Sequence, residues 1–117
     1  MAEKRMFSRV IIESDDFQNQ SKDARLLYFN LCLNADDEGL LNNTGTVMRM
    51  CGCSAENLAE LISNGYVLPV IAKVYAITHW YIHNTIPKDR FHKTIIVEWQ
   101  RYLTLEDKVY QLKTRIS

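Results

Sequence analysis

At Gly65 the spacing of the apolar residues changes. Upstream they recur with the period of a helix in three segments, each opened by a capping residue. Ser21 opens "SKDARLLYFNLCLNAD". There Leu27, Leu31 and Asn34 form one stripe, Ala24, Tyr28 and Cys32 form a second, and Leu26, Phe29 and Leu33 fill the sides, so a central core helix is predicted over residues 21–34. Asn43 or Thr44 caps "TGTVMRMC", which Gly52 stops, and Ser54 caps "SAENLAELISNG", which Gly65 stops. Helices are therefore predicted over 44–51 and 54–64. Their tight Gly-containing connection is the layout of a helix-turn-helix. Ser14, Asp15, Asp16 and Phe17 read as a cap with one helical turn, and Leu40 and Leu41 as a short strand between turns.

Downstream of Gly65, "YVLPVIAKVYAITHW" is rich in β-branched and aromatic residues and reads as strand. It is long for one strand, so a hairpin is predicted within 66–79 with its reversal at Ala72-Lys73. No Gly, Asn or Asp supports that turn. Pro69 has no N–H to give to a ladder, which puts the first arm at an edge. Three helices followed by a hairpin give the expected fold class: mostly α with a small β-hairpin, α+β, a winged helix-turn-helix over residues 1–94. In the tail, Val97, Arg101 and Leu105, and Tyr102, Leu105, Val109 and Leu112, keep helical spacing. A C-terminal helical extension outside the core is expected over 95–117.

A chain of 117 residues, 47% apolar and 24% charged, is long enough for one domain with one core. Its formal net charge is zero, so no global field draws it to DNA or anionic lipid. The charge is polarised, though: acids dominate residues 1–38 and bases dominate 88–117. The start lacks the apolar run of roughly 7–15 residues that a secretion signal needs. Pro69 and Lys73 break the longest apolar stretch, so no membrane partner is expected. Cys32, Cys51 and Cys53 are an odd set, read as reduced thiols in a cytoplasm.

Chemistry-bearing motifs are scarce. His79 and His83 stand four apart and Cys51-Gly-Cys53 is a thiol pair, but no second pair follows at the spacing zinc requires. Histidines capping a strand and cysteines in the core are the plainer reading. "NADDEGLLNNTG" places oxygens like a calcium loop until position twelve, where Gly45 stands instead of the required Glu. The acids Asp36, Asp37 and Glu38 are expected in an exposed turn, with nothing to separate their roles. No phosphate-cradling loop and no nucleophile elbow is present. Neither metal, cofactor nor enzymatic activity is expected.

The signals that remain concern partners. In "HWYIHNTIPKDRFHK", Lys88, Arg90, His92 and Lys93 cluster around Phe91, a composition suited to phosphates. Pro87 is expected to end the sheet, with Ile77, Trp80 and Ile82 packing the end of the hairpin onto the core. The helix over 54–64 would be the groove reader of a helix-turn-helix, yet it carries Glu56 and Glu60 and no Lys or Arg. A DNA-contacting face is therefore expected at Arg49, Lys73 and the 88–93 cluster. Val67, Leu68, Val70 and Ile71 form an apolar run on the edge arm, where self-association is expected.

"KRMFSRVIIESDDF", "ADDEGLLNN", "VMRMCGCS" and "ITHWYIHNTIPKDRFHKT", in this order and spacing, resemble the N-terminal region of phage and prophage replisome organizers, related to the DnaD-type primosomal proteins of Gram-positive bacteria. The resemblance spans most of residues 4–94, and the His79–Arg90 stretch is its most specific part. It implies a winged-helix domain in the initiation of DNA replication, with duplex origin or single-stranded DNA and helicase-loading proteins as partners. It also implies that the N-terminal domain serves oligomerisation, with the main DNA contact in a later domain. The rival to a DNA-contacting domain is thus a protein–protein interaction module.

Overall fold

In the computed structural model the described residues are 5–86 and 88–113. They form an α+β arrangement with small antiparallel sheets. Two single-turn helices, α1 (Arg9–Ile12) and α2 (Asp15–Gln18), lead into the long α3 (Lys22–Asn34). The strand β1 (Leu40–Leu41) follows, then α4 (Thr44–Cys51), α5 (Ala55–Ser63) and the strands β2 (Val67–Ile71) and β3 (Val74–Ile77). The expected caps operate at Ser14, Ser21 and Ser54, whereas Asn43, at the start of α4, makes no side-chain cap bond. Ser14 accepts from the Phe17 N–H at 3.2 Å and Ser21 from the Ala24 N–H at 3.1 Å. Ser54 and Asn57 form a reciprocal capping box at α5. Gly65, at a φ of 82°, lets the Tyr66 N–H return to the Leu61 carbonyl and close that helix.

The three-stranded sheet runs β1-β3-β2, all antiparallel, with Leu40 opposite Ala76 and Val67 opposite Ile77. The arm carrying Pro69 is an edge strand, and the chain reverses at Ala72-Lys73. Ala72 adopts a φ of 49° there, a conformation costing roughly 1 kcal/mol for a residue with a Cβ. Both principal stripes of α3 are buried apart from Asn34, while Leu26 and Leu33 remain exposed. Around α3, Phe17, Tyr28 and Tyr66 meet edge to face, with ring centroids 5.2 to 5.8 Å apart.

The tail overturns one expectation. No helical extension forms over 95–113. A 3-10 turn at Trp99–Arg101 leads into a second hairpin, β4 (Leu103–Glu106) and β5 (Val109–Leu112). Its turn residues Asp107 and Lys108 both have positive φ, 50° and 67°, the two-residue geometry that matches strand twist. Nor is this segment outside the core. Leu103 and Tyr110 are buried in it, and the Tyr110 N–H donates to the Thr78 carbonyl at 2.9 Å. The apolar spacing in this stretch fits a helix and a strand alike, and burial of Leu103 and Tyr110 against the rest of the chain selects the strand. Pro87, expected to end the sheet, lies outside the described residues. The sheet's third strand ends at Ile77, and the chain turns into a short helix, α6 (Trp80–His83).

Candidate nucleic-acid interface

The stretch holding all three histidines does two jobs. Its first half is a clamp on the N-terminal arm. His83 is buried, and its Nδ1 accepts the Ser8 N–H at 2.8 Å. The proton of the neutral ring therefore sits on Nε2, which lies 2.7 Å from the Tyr28 hydroxyl. Burial, with His79 nearby, pushes the His83 pKa down to about 4, and burial lowers that of His79 as well. Both His83 nitrogens are thus engaged within the protein. Asn84 accepts the Met6 N–H at 2.8 Å. Trp80 is fully buried and donates its indole N–H to the Asp37 carbonyl at 3.0 Å. Ile77 is fully buried as expected, and Ile82 is half-buried.

The acidic turn is not the exposed loop the sequence suggests. The Asp37 side chain has 0% exposure and sits 3.3 Å from the guanidinium of Arg5, itself 2% exposed. Arg5 also lies over the Trp80 ring at 5.0 Å and donates to the Ala35 carbonyl at 2.7 Å. Asp37 Oδ2 accepts the His92 N–H at 3.1 Å. Glu38 accepts the Thr94 N–H at 2.8 Å and the Trp99 indole N–H at 3.1 Å, and its carbonyl accepts the Tyr110 hydroxyl at 2.7 Å. Gly39 makes the turn feasible: its φ is 81°, and a Cβ there would sit 2.5 Å from the Trp80 ring. Asp37 is buried and Glu38 half-buried because donors from both ends of the chain converge on them, a long-range arrangement that no local pattern announces.

The second half of the stretch is consequently anchored through backbone amides, and its Lys and Arg side chains point outward, while the His92 ring Nδ1 lies 3.8 Å from Asp37 Oδ2. His92 and Thr94 are pinned to Asp37 and Glu38, while Lys88, Arg90, His92 and Lys93 are exposed and Phe91 is half-buried. Lys73 is exposed at the tip of the β2–β3 hairpin. That tip is at the opposite end of β3 from Ile77, which bonds to the Gly39 carbonyl of the acidic turn that anchors the loop. Arg49 is exposed on the last turn of α4, bonded to Thr46 at 3.2 Å. The predicted basic residues thus form one cluster at 88–93 and separate sites at Arg49 and Lys73.

A cation outside the expected set joins the cluster. An open cleft of about 690 Å³ lies beside α6, and Lys88 and Lys108 both line it together with Tyr81, Asn84, Phe91 and Leu105. Lys108 was hidden because its turn lacks the Gly or Asn that usually marks a hairpin. On α5, Glu56 is exposed, but the Glu60 carboxylate accepts both the Ser21 N–H and the Ser21 hydroxyl at 2.8 Å, at the start of α3. One of the two acids in the expected groove reader thus has a bracing role. In the expected self-association strip, Val67 is buried, Leu68 and Val70 are half-buried against the core, and Ile71 is exposed.

Two of the thiols, Cys32 and Cys53, are poor nucleophiles. Burial raises the Cys32 pKa far above its ordinary value, and burial together with Cys51 pushes that of Cys53 up to about 11. Among the described residues no three His, Cys, Asp or Glu side chains converge as metal ligands, and no helix is long and apolar enough to cross a membrane. Compared with protein families, curated proteins and solved structures, the chain shows no match to any.

Proposed function

We propose that this chain is a winged-helix domain of the replication-initiation type that contacts DNA through its basic loop, without catalysis, and helps assemble replication proteins. The order α3, β1, α4, α5, β2, β3 with sheet order β1-β3-β2 supports the winged-helix reading. The observation that carries the DNA reading is the pinned loop: Lys88, Arg90, His92 and Lys93 are exposed on a backbone anchored to the buried acidic turn. Phosphate recognition favours cations whose positions are fixed before binding. Arg49 and Lys73 are secondary contacts in this reading. The resemblance to replisome organizers supplies the biological setting: origin or single-stranded DNA and helicase-loading proteins as partners, in a bacterial or phage-infected cytoplasm.

A second reading, a protein–protein or self-association module, is favoured by the unpaired edge of β2 with exposed Ile71 and by the absence of Lys and Arg on α5. Salt-titrated DNA binding measured beside light scattering separates them. Salt-sensitive affinity at any oligomeric state supports DNA contact. A dimer or larger assembly with no salt-sensitive DNA affinity hands the lead to the interaction module.

A further inference from the structure

The cleft beside α6 has features that a solvated gap between connectors would not need. Its walls include Tyr81, Phe91 and Leu105. Asn84 also lines it and is 4% exposed. Its Oδ1 is occupied by the Met6 N–H, while its Nδ2 donor has no partner among the described residues. That donor has almost no solvent-accessible surface, so it belongs to the closed side of the cleft wall and is not a contact for a ligand. Lys88 and Lys108, from the connector and the second hairpin, line the same cleft, and neither forms an ion pair with a described residue. Asp37 lines it too, but its charge is met by Arg5. A volume of about 690 Å³ is of the size that admits a small ring system.

We propose that this cleft receives one nucleotide of a single DNA strand, its base against Phe91, Tyr81 and Leu105, and the flanking phosphates on Lys88 and Lys108. The inference rests on the DNA-contact reading above and makes it specific to unpaired bases. A duplex keeps its bases stacked inside and presents only edges, so it cannot fill an aromatic-walled slot without extruding one. An acidic peptide would satisfy the lysines but gives no reason for Tyr81 and Phe91 in the walls between them.

Fluorescence anisotropy with the full chain tests this, using a labelled single-stranded oligothymidylate and a labelled hairpin duplex. The wild type is expected to prefer the single strand at equal salt. Leu105→Trp fills the cleft and keeps every lysine. It is expected to weaken single-strand binding by roughly fivefold or more, the loss of one stacked base, and to leave duplex binding unchanged. If that variant unfolds by circular dichroism, Lys108→Gln serves instead and should reduce the single-strand salt slope by about 0.7. Duplex binding with no single-strand preference, or single-strand binding indifferent to these substitutions, overturns the cleft while leaving the basic loop intact as a DNA contact. Displacement by micromolar thymidine monophosphate would assign the cleft to free nucleotide and overturn the strand. No binding of either DNA overturns both readings and leaves the cleft to an acidic peptide.

Discussion

Residues 36–38 and residues 88–93 look alike in the sequence, as runs of charge between regular elements, and the fold treats them oppositely. The acids are drawn inward and met by donors remote in sequence: Arg5 from one end of the chain, and His92, Thr94 and Trp99 from the other. The bases are turned outward, and of their side chains only that of His92 lies near one of the acids, with Nδ1 3.8 Å from Asp37 Oδ2. A charged run is therefore no guide to its own burial. What decides it is whether complementary groups, remote in sequence, can reach it and offset the desolvation of the charge. The two runs are also coupled, because the acidic one fixes the backbone of the basic one. The acids are expected to govern stability and the bases to govern binding.

The most damaging substitution should be Asp37→Ala. It removes the carboxylate that faces the buried Arg5 guanidinium and frees the His92 amide, and breaking a buried pair costs about 3–5 kcal/mol. Urea denaturation should show that drop, and an unchanged midpoint would mean the turn is not the anchor. Gly39→Ala tests the same turn without touching charge. The added Cβ meets Trp80 and must take a positive φ, so a loss of about 3 kcal/mol is expected in the same assay.

The N-terminal clamp gives a pH signature. His83 titrates near 6.5 when unfolded and at about 4 when folded, so between those values the unfolded chain binds a proton that the folded chain refuses. Its contribution is complete above about pH 6.5 and is lost as the pH falls toward 4. The loss should be roughly 2 kcal/mol after discounting for solvent screening. His83→Gln can still accept from Ser8 and meet Tyr28 and should flatten that slope; a wild-type stability curve already flat from pH 6.5 to 4 would contradict the clamp. Glu60→Gln is a smaller perturbation. It weakens the two bonds to Ser21 and should cost about 1 kcal/mol in thermal unfolding. If it instead strengthens DNA binding with no loss of stability, Glu60 is a repulsive groove residue rather than a brace.

The parts of the fold legible in the sequence are those written in local contacts. Ser21, Ser54, Gly52 and Gly65 mark helix ends through bonds spanning a few residues, and the expected limits of α3, α4 and α5 match the structure to within one residue at each end. The hairpin reversal at Ala72-Lys73 was placed by strand length alone, since its turn chemistry is poor. The second hairpin was missed because Asp107 and Lys108 enter positive φ without glycine, and because Tyr102, Leu105 and Val109 also happen to keep helical spacing. The candidate site divides the same way. The exposed cations were visible as composition, whereas the cleft, Lys108 and the anchoring of the loop depend on residues more than fifty positions apart meeting in space.

The coupled claim, that the acids hold the fold and the bases hold DNA, is tested most directly by replacing Lys88, Arg90 and Lys93 together with Ala. The three side chains are exposed, so stability should change by no more than about 0.5 kcal/mol. Each lost phosphate contact should remove about 0.9 from the slope of log affinity against log salt on duplex, or about 0.7 on single strand. The account predicts a normally folded variant whose slope is flatter by roughly two to three units and whose binding is weaker on every sequence alike. A folded variant that keeps the full wild-type slope would contradict it.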